Sequence, residues 1–152
     1  MNRNLRTVAL LVLPLAALAC SKPSPEASPK SETNTAEAKS EAFGRLSVEQ
    51  LEAKMAEAKS GKLALYIFDN NNKERFDKGH VPGAKWVKFN EVKAADMPAD
   101  KAATLVFYCA NEHCEACHEG ASAALALGYK NVFILPSGIS GWEKAQKPIE
   151  QV

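Results

Sequence analysis

Three of the four cysteines and two of the three histidines of this chain fall in one stretch, Tyr108-Cys109-Ala110-Asn111-Glu112-His113-Cys114-Glu115-Ala116-Cys117-His118. The stretch follows an apolar run, Thr104-Leu105-Val106-Phe107, and precedes an alanine-rich segment of helical composition. A strand that ends on a cysteine and continues through a loop into a helix start places that sulfur near free backbone amides. Those amides and the helix dipole favour negative charge, so Cys109 is expected to be a nucleophilic thiolate of lowered pKa.

The second half of the stretch supports other chemistries. Cys114-Glu115-Ala116-Cys117-His118 matches the C-x-x-C-H pattern of covalent haem attachment, although a loop held at a sheet rim leaves no evident haem-sized pocket. Cys114 and Cys117 have the spacing of thiol–disulfide exchange at a helix start. In an oxidising compartment they can form a structural disulfide with each other, or one can resolve a sulfur adduct on Cys109. Zinc held by His113, Cys114, Cys117 and His118 would need four ligands within six residues, which strains a tetrahedron. Neither a metal nor a cofactor is assigned.

Patterning supplies the elements that position this loop. Ser47 with Gln50 forms a capping box, with Leu46 and Leu51 as the hydrophobic staple across it. Val48, Leu51, Met55 and Ala58 then share one helical face that ends at Gly61. Leu63 to Phe68 is a continuous apolar run, as in a strand covered on both faces, and it stops at the polar turn Asp69-Asn70-Asn71-Asn72. Lys73 to Lys78 allows one or two helical turns. A short strand is expected over Lys85 to Lys88 and a helix over Asn90 to Met97. Thr104 to Tyr108 is a strand, the helix after the loop runs to Leu127 and stops at Gly128, and Val132 to Leu135 is a further strand. A last short helix carries Trp142. Alternating strands and helices imply an α/β fold with a central parallel sheet and helices on both faces.

Ligands in such sheets bind beyond the carboxyl ends of the strands. Asp69, Cys109 and Pro136 each stand at such an end, so the cysteine-rich loop belongs to a shared rim. Asp69 is expected to cap its turn and position the loop. His80 is expected to bond backbone in its own turn, and Trp86 and Trp142 are core candidates.

The amino-terminal third reads differently. Residues 1–19 carry Arg3 and Arg6 ahead of the apolar run Val8 to Ala19, which is the pattern of an export signal too short for a stable membrane anchor. Ala17-Leu18-Ala19-Cys20 resembles the bacterial lipoprotein cleavage site. The resemblance implies lipidation of Cys20, and Ser21 beside it resembles an outer-membrane sorting signal, which would put the protein in the bacterial cell envelope facing the periplasm. Residues 20–42 hold Pro23, Pro25 and Pro29 among Ser, Glu, Lys, Thr and Ala, and lack the apolar mass to offset ordering entropy. As a tether they would place a domain spanning 43–150 on the order of 25 Å from its anchor. Without residues 1–19 the chain has 17 basic and 18 acidic residues and no basic stretch, so nucleic acid is excluded as a partner.

Five segments together resemble the rhodanese-like domain family. They are Ile67-Phe68-Asp69, Gly79-His80-Val81-Pro82-Gly83-Ala84, Leu105-Val106-Phe107-Tyr108-Cys109, Ala126-Leu127-Gly128-Tyr129-Lys130-Asn131-Val132 and Ser137-Gly138-Ile139-Ser140-Gly141-Trp142, in family order over roughly residues 45–150. The resemblance implies a sulfurtransferase in which Cys109 takes sulfane sulfur from a small donor as a persulfide and passes it to a thiol or cyanide-like acceptor. It implies that Ala110, Asn111, Glu112, His113, Cys114 and Glu115 form the substrate-binding loop. Family loops commonly carry an Arg after the cysteine to hold an anionic donor. This chain has no Arg or Lys between Cys109 and Lys130, and a lost charge-assisted contact costs about 1.5–3 kcal/mol. A non-catalytic or thiol-redox-sensing module on the same fold is the alternative.

Overall fold

The computed structural model describes residues 43–152, so the expected export signal, Cys20 and the expected tether lie outside the described residues. Five parallel strands form the sheet: β1 (Gly44–Arg45), β2 (Leu65–Asp69), β3 (Lys85–Trp86), β4 (Thr104–Tyr108) and β5 (Asn131–Leu135). Their spatial order is β1-β5-β4-β2-β3. The helices are α1 (Val48–Lys59), α2 (Lys73–Lys78), α3 (Ala116–Ala126) and α4 (Gly138–Lys144).

Alternation along β4 decides what each face buries. Leu105 and Phe107 join Phe68, Ile134, Ala121 and Ala124 in one apolar cluster, to which α3 contributes its buried stripe. Val106 and Tyr108 point the other way, into a cluster with Leu51 of α1 and Ile139 and Trp142 of α4. Burial on both faces explains why β4 reads as an unbroken apolar run. The Ser47–Gln50 capping box starts α1 in both directions: the Gln50 amide reaches Ser47 Oγ at 3.2 Å, and Ser47 N–H reaches Gln50 Oε1 at 2.8 Å. α2 starts on Asn72, whose side chain accepts from Arg75 N–H at 2.8 Å.

The expected helix over 90–97 is corrected to a single 3₁₀ turn, Ala94–Asp96. Pro98 follows at once, and only Val92 and Met97 could anchor a longer helix against the core. Trp86 is half-buried rather than core, its indole N–H donating to Asn71 O at 2.8 Å. Trp142 is fully enclosed. Among the described residues no helix is long and apolar enough to cross a membrane.

Candidate functional site: a three-thiol loop at the sheet rim

Cys109 leaves β4 directly into the loop, and the loop folds back over it. The Cys109 thiol donates to the Cys114 carbonyl at 3.0 Å, and the Cys117 thiol faces the same oxygen at 3.8 Å. Cys109 and Cys117 are each 1% exposed, whereas Cys114 is half-buried. All three are free thiols. The backbone turns through Asn111, whose carbonyl accepts from Cys114 N–H at 3.1 Å and whose side chain accepts from His113 N–H at 3.0 Å. Glu115 caps α3 without a side-chain bond to the helix amides. Its carboxylate holds His118 Nδ1 at 2.7 Å, while the His118 ring stacks on Phe43. The first amides of α3 are therefore left to the sulfurs: the Cys117 amide favours charge on Cys109, and the Ala116 amide, together with the loop amide of Ala110, favours charge on Cys114.

The start of the loop is clamped from the β5 side. Ile139 N–H donates to Cys109 O at 2.9 Å and Ser140 N–H to Ala110 O at 3.0 Å. This close approach requires Gly138, which has φ +57° and whose added Cβ would stand 2.4 Å from Cys109 O. On the other side Asn70 N–H donates to Tyr108 O at 2.8 Å, tying the ends of β2 and β4 together. Gly120 lets α3 lie against this pair, since a Cβ there would stand 2.5 Å from Asn70 Oδ1. Sequence reasoning singled out none of Asn70, Gly120 and Gly138 as positioning residues. Gly138 was visible only as part of a family-like segment, and Gly120 only as a small residue inside a helix.

Residues 47–145 match the sequence profile of the Rhodanese-like domain. The chain belongs to the rhodanese-like family. No curated protein matches it at a comparable level. Among solved structures, a Bacillus halodurans protein is similar at 20% identity and TM-score 0.63, covering 76% of this chain and 82% of its own. A rhodanese-like domain from Anabaena sp. is similar at 20% identity and TM-score 0.59, over 71% and 79% of the two chains. A thiosulfate sulfurtransferase from Pseudomonas aeruginosa is similar at 22% identity and TM-score 0.62, over 76% of this chain but 21% of its own. At these identities the likeness shows the fold.

In this rhodanese-like domain the thiol electrostatics differ from the expectation of a lowered Cys109 pKa. The neighbouring Cys117 thiol and burial push the Cys109 pKa up, and the helix-start amide does not reverse this. Cys117 is held below the ordinary thiol value, chiefly by the Cys109 thiol beside it, although burial opposes. Burial also raises Cys114. Negative charge in the cluster is therefore favoured on Cys117 over Cys109.

The same geometry corrects the alternatives. C-x-x-C spacing does not capture the arrangement, because the Cys114 carbonyl turns inward to hold the Cys109 and Cys117 thiols and Cys109 lies beside both other cysteines. Covalent haem does not fit, since one thioether would have to form on a sulfur that is 1% exposed and packed against Cys109. His113 stands out in solvent beside Glu112 (3.8 Å) and does not approach His118 as a shared ligand set would demand.

Asp69 lies fully buried at the end of β2, where its carboxylate accepts from Asn71 N–H at 2.7 Å. His80 Nδ1 bonds Phe76 O at 2.9 Å, within its own turn. Burial raises the Asp69 pKa from 3.8, against lowering by the Tyr108 hydroxyl, Asn71 and nearby His80. The folded protein therefore holds this proton more tightly than the unfolded chain. Stability should fall as pH rises from about 3.8 through the higher folded value and then level off. Asp69→Asn keeps the acceptor for Asn71 and should flatten this part of the profile. Thermal melts of both proteins across the acid range check it, and equal slopes would contradict the assignment.

Proposed function

We propose that the domain is a sulfurtransferase in which Cys109 carries a persulfide. The observation that carries this reading is the placement of Cys109 at the end of β4, with its thiol turned into the loop and beside the Cys117 amide of α3. The thiosulfate sulfurtransferase among the structural neighbours supports it. As Cys109 attacks sulfane sulfur it sheds its proton, to the outer sulfur when sulfite leaves and to the departing sulfur when a thiol leaves. The new S–S bond forms on Cys109, the donor's own bond to the sulfane sulfur breaks, and the donor leaves as sulfite or as a thiol. A thiol or cyanide-like acceptor then takes the outer sulfur, and Cys109 is restored.

The loop supplies Glu112 and Glu115 but no cation, so a doubly charged donor lacks a charge-assisted contact. The KM for thiosulfate should exceed that for an uncharged organic hydropersulfide by roughly tenfold or more. Thiocyanate formation from cyanide with each donor measures this. A lower KM for thiosulfate would contradict the account of the loop, and no turnover with any sulfane donor would sink the activity. Burial of Cys109 favours a second reading, a thiol-redox-sensing module, which that second outcome would support.

The protein is proposed to be exported and held by lipidated Cys20 at the outer membrane, facing the periplasm. The apolar run ending at Ala17-Leu18-Ala19-Cys20 and the Pro-rich segment behind it support this. Cys20→Ala should move the protein from the membrane fraction to the soluble envelope fraction. Unchanged fractionation would refute the anchor.

A further inference from the structure

Cys109 poses a problem for any acceptor that must come from outside. The sulfur that would carry the persulfide is 1% exposed, and α4 clamps the first loop residues over it. One nucleophile needs no access route: the Cys117 thiol shares the Cys114 carbonyl with Cys109 and lies beside it. The Cys114 thiol also lies beside Cys109, but it is half-buried and its carbonyl is taken by the other two, whereas Cys117 is enclosed together with Cys109.

We propose that Cys117 is an internal resolving thiol that discharges the Cys109 persulfide as hydrosulfide, so that the domain reduces sulfane sulfur as well as carrying it. This deepens the sulfurtransferase reading and rests on it for the loading step. In the step, Cys117 thiolate attacks the Cys109 Sγ of Cys109–S–SH. A Cys109–Cys117 disulfide forms, the bond between the inner and outer sulfurs breaks, and the outer sulfur leaves with its proton as HS⁻. The sulfane sulfur is reduced by two electrons and the two cysteine sulfurs supply them. A dithiol reductant must reopen the disulfide before the next turn. Contact between the two groups gives this route an intramolecular advantage over any dissolved thiol. The lowered pKa of Cys117 keeps more of it in the thiolate form that this attack requires.

The test loads reduced protein anaerobically with thiosulfate or cysteine hydropersulfide, desalts it, and follows sulfide release and intact mass without added thiol. The wild type should release one sulfide and lose two hydrogens. Cleavage after Glu112, Glu115 and Glu119 places the three cysteines on separate peptides and should recover a Cys109–Cys117 crosslink. Cys117→Ser should retain the added sulfur on Cys109, with release slowed on the order of a hundredfold. Diamide applied to unloaded wild type should give the same Cys109–Cys117 crosslink, independently of sulfur loading. Release from Cys117→Ser at the wild-type rate, or a crosslink mainly to Cys114 in either arm, would overturn the proposal. A Cys117→Ser protein that never gains sulfur, while diamide still joins Cys109 to Cys117, would instead refute the sulfurtransferase reading and the release step with it.

Discussion

Gly138→Ala should destabilise the domain by on the order of 3 kcal/mol and lower its Tm by roughly 10–20 °C. Two independent effects act at this position. The backbone is in the left-handed region, with φ +57°, which costs any L side chain energy. The added methyl would also meet backbone rather than a movable side chain, 2.4 Å from Cys109 O and 2.6 Å from Ala110 C. Relief requires α4 to back away from the loop, which stretches Ile139 N–H···O=C Cys109 and Ser140 N–H···O=C Ala110. The variant should therefore lose sulfur uptake at temperatures where it is still folded, because the carrier's own backbone is displaced. Denaturant unfolding read beside sulfur loading checks both parts. Wild-type stability would contradict the clamp.

Cys109→Ser should leave the fold nearly unchanged and reduce sulfur transfer on the order of a thousandfold or more, to the background of donor and acceptor alone. The serine hydroxyl can still donate to the Cys114 carbonyl, so the buried position keeps a hydrogen bond. What disappears is the polarisable nucleophile, and a hydroxyl there has no comparable reactivity toward sulfane sulfur. Cys117 remains in the variant, so residual loading would show that the deeper thiol had taken the role. The wild-type pH dependence carries the same information. With the Cys109 pKa raised, its thiolate becomes more abundant as pH rises above neutrality, and the loading rate should climb rather than level off there.

The architecture was readable wherever both faces of an element are buried. β4 and β5 are unbroken apolar runs because the sheet is parallel and covered on each side, and the α1 cap could be read from Ser47 and Gln50 alone. β1 could not, because it is two residues long and has no period. Its Gly44 is fixed by Phe133, whose ring lies 2.4 Å from where a Cβ would stand. The carboxyl-end rim, with Asp69 and Cys109 on it, followed from element order. The thiol pairing inside that rim did not. Sequence spacing singles out Cys114 with Cys117, whereas the loop turns the Cys114 carbonyl inward and sets both thiols beside Cys109. The protonation of Cys109 was equally hidden, since local motif logic counts the helix amides but not the burial and the neighbouring Cys117 thiol that outweigh them.

The central claim is that Cys109 accepts sulfane sulfur. Its most direct measurement is the intact mass of reduced Cys117→Ser protein after exposure to a sulfane donor, followed by peptide mapping. The account predicts an increment of one sulfur, located on the peptide ending at Glu112 and absent when Cys109 is also replaced. No increment from any donor, or an increment carried by Cys114, would contradict it.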